Sequence, residues 1–305
     1  MTVPQSILLG GVALLVAQVP AAPVVQSVPG VFVVDARVVD RSGRIVTDLT
    51  ADDFEVRVDG APRRITSVRY EPASASGQPS SVLVAVDRQN LRIETSRMTL
   101  DAAAAFVDGL PAPHAVGLMV LPEEKARVAI GQPAAAVAKA LRALLGAYNP
   151  RMPVGDDELS ARSALHRVMS VMSTVAGRRT VVFLADRMYD GASTVDTARR
   201  AALQGVAFYV MAADAPMMTG ENQASASGDR GGISDGLAGL AAASGGALLR
   251  RSAGAGVVFE RLALELSGQY LVTFETEASD AGRHSIRLGV TRDGLDVRSR
   301  REFVK

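Results

Sequence analysis

The 305-residue sequence contains no cysteine. This absence excludes disulfides, thiol catalysis, zinc–thiolate sites and lipid attachment through cysteine. Lysine is scarce too, because only Lys125, Lys139 and Lys305 interrupt an otherwise all-arginine set of basic residues. The formal net charge is +1, so nothing favours a nucleic-acid partner or a strongly charged membrane surface.

Signatures of small-molecule chemistry are also missing. There is no phosphate-binding loop and no dinucleotide fingerprint after a strand. The three histidines, His114, His166 and His284, show no metal-ligand spacing, which favours structural roles. The sequence therefore gives no reason to expect a small-molecule substrate.

The amino terminus carries an uncharged apolar run, Ile7–Ala17. This run is shorter than the roughly 20 residues that span a bilayer, but it has the length of a signal-peptide core. Small residues at Val19–Ala21 supply a cleavage site. We predict a signal peptide over residues 1–22 and a periplasmic, cell-envelope or secreted protein. An uncleaved anchor, which would bring membrane contact, and a buried core element are the alternatives.

Residues 80–250 alternate apolar strand-like runs with helical segments. This pattern predicts an α/β domain with a doubly wound, mainly parallel sheet. The predicted strands are Val82–Val86, Val116–Leu121, Thr180–Ala185, Ala207–Ala212 and Ala247–Leu249. The predicted helices are Thr95–Leu110, Pro133–Leu145, Glu158–Val175, Thr194–Leu203 and Ser234–Ala243.

Both ends of the chain have the two-residue period of β-strands. Residues 30–72 form one small antiparallel segment, in which the Asp59-Gly60 turn should bring Ile65–Tyr70 back onto Phe54–Val58. Residues 255–305 contain a helix followed by a second β segment. We expect the two β segments to pack together, with the α/β domain inserted between them.

Several stretches together resemble the bacterial von Willebrand factor type A (VWFA)-related proteins. They are Val38–Val56, Val84–Asp87, Arg178–Asp186, Ser267–Leu271 and Val297–Arg300. The resemblance implies an export signal, a small β region, an A domain and a β tail. It also implies a metal-ion-dependent adhesion site with the motif Asp-x-Ser-x-Ser, but no defined reaction.

The metal site implied by this resemblance is degenerate. Asp87 and Asp186 match its two aspartates, whereas Gln89 and Leu91 replace the serines. The loop that would supply a threonine has none, although Asp157 could substitute. We expect no cofactor, with Mg²⁺ in a site rebuilt by Gln89 and Asp157 as the alternative. The neighbouring arginines, Arg88 and Arg187, are expected to neutralise the aspartates.

The function predicted from these features is that of an exported, non-enzymatic binding or scaffolding protein. It would contact an unknown protein partner through the loops at the carboxyl ends of the A-domain strands. One alternative is a serine hydrolase, because Gly232–Gly236 satisfies Gly-x-Ser-x-Gly around Ser234. Ser234 as a helix N-cap explains the same motif. The other alternative is a purely structural cell-envelope protein.

Overall fold

The computed structural model describes residues 30–111, 113–122, 126–147, 157–186, 192–212, 236–251, 254–277 and 282–305. The strands are β1 (Val31–Val39), β2 (Phe54–Val58), β3 (Ala61–Arg63), β4 (Ile65–Pro72), β5 (Ser80–Asp87), β6 (His114–Leu121), β7 (Ala126–Val128), β8 (Arg178–Leu184), β9 (Val206–Ala212), β10 (Ala247–Arg250), β11 (Gly268–Glu275), β12 (Arg283–Val290), β13 (Asp296–Ser299) and β14 (Glu302–Val304). The helices are α1 (Ile93–Gly109), α2 (Ala134–Arg142), α3 (Asp157–Ser173), α4 (Ala192–Gln204), α5 (236–244) and α6 (Ala255–Glu265). The predicted signal peptide lies outside the described residues.

The central sheet has six strands in the order β10-β9-β8-β5-β6-β7. All neighbours are parallel except β6 and β7, which form an antiparallel pair. Every residue of β5 and of β9 is buried. These strands read as continuous apolar runs because neither of their faces meets water.

Alternate residues of β5 enter two different hydrophobic cores. Val82, Val84 and Val86 pack with α1, α2 and α6, whereas Leu83 and Ala85 pack with α3, α4 and α5. This division follows from the strand geometry, in which successive side chains point to opposite faces. The protein is therefore a mixed α/β fold with a six-stranded, mostly parallel sheet.

Strands from both ends of the chain combine into two antiparallel sheets. One sheet has the order β13-β1-β11-β4 and the other β14-β12-β2-β3. Their facing sides share an aromatic-rich core, in which the Tyr270 ring lies 5.2 Å from Phe54 and 5.3 Å from Tyr70. The Tyr270 hydroxyl accepts the backbone N–H of Leu49 at 3.0 Å, which satisfies its polar end inside this core.

The predicted pairing of Ile65–Tyr70 with Phe54–Val58 after the Asp59-Gly60 turn is wrong. The turn closes a short hairpin between β2 and β3, and β4 then leaves to pair with β11 in the other sheet. The backbone N–H of Glu275 donates to the Arg64 carbonyl at this crossing. The apolar residues of β4 pack against the shared core as part of the β13-β1-β11-β4 sheet. A local two-residue period cannot distinguish this pairing from a longer hairpin with β2.

Candidate functional site

The candidate site lies at the carboxyl ends of β5 and β8, two adjacent strands that run in register from Ser80–Arg178 to Val86–Leu184. After β5 the chain passes through α1 to β6 on one side, while β8 pairs on the other side of β5. The connection after β5 leads to β6 on one side, and the connection after β8 leads through α4 to β9 on the other side. Open α/β sheets form a crevice at such a switch point, and ligands bind there.

Asp87 ends β5 and is 4% exposed. Its Oδ1 accepts the backbone N–H of Asn90 at 3.3 Å, and its Oδ2 accepts the Asn90 side-chain amide at 2.8 Å. Asp87 thus caps the short 3-10 turn Arg88–Asn90.

Asp186 follows β8, and its side chain is only 1% exposed. Its Oδ2 accepts the backbone N–H of Arg92 at 2.8 Å, and its Oδ1 accepts the guanidinium of Arg251. The Asp186 backbone N–H donates to the Asn90 carbonyl at 2.8 Å. Both aspartates are therefore fastened to the same segment, residues 88–92, as their positions at neighbouring strand ends predict.

The cation that pairs with Asp186 is Arg251, which lies just after β10 and which the sequence did not single out. Its side chain is 8% exposed and also donates to the Thr99 hydroxyl of α1. Arg88, which we expected to neutralise the aspartates, instead donates from Nε to the Leu145 carbonyl at 2.9 Å. Arg187 lies outside the described residues.

The two positions that carry serine in the Asp-x-Ser-x-Ser motif differ in their exposure to solvent. Gln89 is exposed, whereas Leu91 is completely buried in the core that contains Val86 and Leu100. Leu91 therefore replaces the motif serine without facing the site. The 3-10 turn directs position 91 into the core. Asp157 begins α3, and its side chain lies outside what the structure describes.

Apolar side chains are exposed beside this edge. Ile93, the first residue of α1, is 48% exposed, and Leu145 is 47% exposed. The Leu145 segment is held against residues 88–92 by the Arg88 bond and by a 2.7 Å bond from the Ala147 N–H to the Arg88 carbonyl. The edge therefore presents exposed apolar groups beside two buried carboxylates, of which Asp186 is paired with Arg251 and Asp87 is hydrogen-bonded to Asn90.

The histidines lie in separate places. His114 lies 2.8 Å from the Ser80 hydroxyl at the start of the sheet, where burial lowers the pKa of its imidazole. His166 is exposed on α3, and His284 pairs with Asp59 at 2.6 Å on the β-sheet sandwich. Ser234 lies outside the described residues. Across the described ranges, no three or more His, Asp or Glu side chains group closely enough to hold a metal ion.

Among the described residues, no helix combines the length and apolar character needed to cross a membrane.

Comparison with known proteins finds no matching family model and no matching curated sequence. An aerotolerance-related membrane protein from Bacteroides fragilis NCTC 9343, solved with multiple mutations to serine, is 14% identical, with a TM-score of 0.44 over 61% of this chain and 98% of its own. BatB from Bacteroides thetaiotaomicron, a conserved hypothetical protein, is 14% identical, with a TM-score of 0.43 over 61% of this chain and 98% of its own. The human COPII-coat protein Sec24c is 9% identical, with a TM-score of 0.41 over 77% of this chain and 46% of its own. These structures have VWFA-like folds. Identities this low carry no statement about what the chain binds.

Proposed function

We propose that this chain is an exported, non-enzymatic binding protein built on a doubly wound VWFA-like domain. Its working surface is the edge formed by the carboxyl ends of β5 and β8, with the exposed loops around it. The proposal rests on the sequence resemblance, on the apolar amino-terminal run and on the geometry of this edge. The step from fold to function is an analogy.

The observation that carries the proposal is the buried pair between Asp186 and Arg251. In a metal-dependent adhesion site, the ion would be held by carboxylate and hydroxyl oxygens. Here a guanidinium stands against one oxygen of Asp186, and a backbone N–H stands against the other. The positive charge of the Arg251 guanidinium repels a divalent cation, and Leu91 contributes no oxygen. The residues present do not fit Mg²⁺, and we infer recognition without a metal.

The proposed contact surface consists of Ile93, Leu145 and the exposed Gln89. Each apolar side chain is about half exposed, and the hydrogen bonds of Arg88 hold the two segments together. A rigid apolar surface with a few polar groups is typical of the centre of a protein–protein interface. The partner we propose is a protein that buries an apolar side chain between Ile93 and Leu145.

Affinity capture from an envelope extract tests this function. The protein is used as bait in its original form, as Ile93→Asp, and as the control Leu264→Asp, whose position near the end of α6 is also exposed (43%) but lies outside both edge segments. We expect one partner that Ile93→Asp loses, that Leu264→Asp keeps and that chelator does not release. Capture of no partner, or equal capture by both variants, would contradict the proposal.

A further inference from the structure

A large cleft lies at the other end of the central sheet, where the sandwich meets the amino ends of the strands. It has a volume of about 1110 Å³, slightly above the roughly 300–1,000 Å³ of typical small-molecule sites. One wall is the outer face of β1, β11 and β4, and the other contains Arg178 and Arg179 at the start of β8. The cleft is roughly 25 Å from Asp186 along β8, so it is separate from the proposed contact edge.

Arginines dominate the lining of this cleft. Five of them face it, but Asp35 is the one carboxylate among the described lining residues. The five are Arg37, Arg69, Arg178, Arg179 and Arg300. They come from four separate parts of the chain, so the accumulation of positive charge is a product of folding.

Neighbouring acids neutralise only part of this charge. Arg69 and Arg178 share one carboxylate, Glu71, and Arg300 lies 3.6 Å from Asp35. Arg179 donates to the Gln204 carbonyl, which carries no charge. Two carboxylates therefore face five guanidinium groups, and the cleft keeps a positive surplus.

Arg37 is the least compensated member. It is only 6% exposed, yet none of the described residues accepts a hydrogen bond from its Nε or lies within ion-pair distance. Its guanidinium lies 6.0 Å from the centre of the Tyr209 ring. Burial raises the pKa of the Glu265 carboxyl group, and the charges of Arg298, at 3.9 Å, and of Arg37 act against that rise without an ion pair forming between Glu265 and Arg37. A buried cation without an anionic partner is costly in a folded protein.

The electrostatic consequences appear in the neighbouring groups. Burial lowers the pKa values of the Arg178 and Arg179 guanidinium groups, and the charges of Arg37 and Arg300 act in the same direction. Burial also lowers the pKa of His114, with Arg37 and Arg178 contributing. The buried Nε atoms of Arg178, Arg179 and Arg300 lack hydrogen-bond acceptors among the described residues, as that of Arg37 does.

We propose that this cleft binds a small molecule carrying several oxyanion groups. The planar guanidinium fork matches phosphoryl and carboxylate oxygens and makes paired, charge-assisted hydrogen bonds to them. Phe32, Leu203 and Leu271 in the walls supply apolar contact for the remainder of such a ligand. The ligand supplies the negative charge that Arg37 lacks, so binding stabilises the folded chain.

Isothermal titration calorimetry on the full chain tests the proposal with tripolyphosphate, citrate and inorganic phosphate, at constant ionic strength set with chloride. We expect saturable binding of one multivalent anion per chain. A preference for tripolyphosphate identifies phosphoryl groups as the ligand chemistry, and a preference for citrate identifies carboxylates. Absence of saturable binding for all three anions would overturn the proposal.

Two variants locate the binding. Arg37→Gln should fold normally, because it removes an uncompensated buried charge, and it should weaken anion binding about 10- to 100-fold, the effect of losing charge-assisted hydrogen bonds. Arg287→Gln is the matched control, because Arg287 is exposed in a different cleft. It should bind as the original chain does. Equal losses in both variants, or no loss in Arg37→Gln, would mean diffuse charge attraction and would refute the site. The capture experiment at Ile93 is independent of this result.

Discussion

The pair between Asp186 and Arg251 gives the sharpest quantitative prediction, because both partners are desolvated. Their side chains are 1% and 8% exposed. Arg251→Met preserves much of the side-chain volume but leaves the Asp186 carboxylate buried without its cation. Breaking a buried ion pair in this way costs about 3–5 kcal/mol of unfolding free energy. That is a large share of the roughly 5–15 kcal/mol that stabilises a typical native protein.

The loss should lower the melting temperature by ~6–20 °C, at about 2–4 °C per kcal/mol for domains of this size. Urea unfolding followed by circular dichroism measures the free energy directly. Arg64→Met is the control. Its ion pair with Glu275 has side chains that are 78% and 47% exposed, so its loss should cost at most about 1 kcal/mol.

The double variant Arg251→Met/Asp186→Asn removes both charges and should be more stable than the sum of the single losses implies. A cost below about 1 kcal/mol for Arg251→Met would refute the reasoning, since a desolvated pair cannot be that weak to break. Additive effects in the double variant would show that the two side chains act independently.

Three further predictions concern other parts of the chain. Gly177→Ala should destabilise by about 2 kcal/mol or more in urea unfolding, because its φ is +76° and an added Cβ would overlap the Pro79 carbonyl oxygen. Hydrogen bonds from His284 and Ser285 lower the pKa of Asp59 from 3.8 to about 2. Its stabilising contribution is therefore present above pH 3.8 and is lost as the pH falls toward 2, so the stability of Asp59→Asn should depend less on pH over this interval, and an unchanged slope would contradict the assignment. A serine-directed fluorophosphonate should not label the protein; labelling that disappears in Ser234→Ala would establish the hydrolase alternative.

The sequence predicts the secondary structure of the α/β domain because the burial there is nearly complete. The helix predicted at Thr95–Leu110 runs from Ile93 to Gly109, and the one predicted at Glu158–Val175 runs from Asp157 to Ser173. In the latter, Leu165 and Met169 lie four residues apart on one face of the helix, and both are fully buried. When one face of a strand or helix is buried, its apolar residues recur in the sequence with the period of that element, so the element can be predicted locally.

Local patterns also place Asp87 and Asp186 at one edge of the sheet, since both follow strands that are parallel neighbours. They do not reveal Arg251, which lies 65 residues after Asp186 in the chain. Its approach to Asp186 depends on how β10 and α1 pack. The inward turn of Leu91 depends on the 3-10 turn capped by Asp87, which has no clear sequence signature. The arginine cleft is hidden for the same reason, because its residues meet only when the sandwich docks against the sheet.

The central claim is that the edge at Asp87 and Asp186 works without a metal, and isothermal titration calorimetry with Mg²⁺ tests it most directly. Mg²⁺ requires near-octahedral oxygen coordination, whereas the described oxygens of both aspartates already face N–H donors. We predict no saturable heat from the full chain at millimolar Mg²⁺. Saturable heat that disappears in Asp87→Ala would contradict the account, because it would mean that the aspartates still hold an ion.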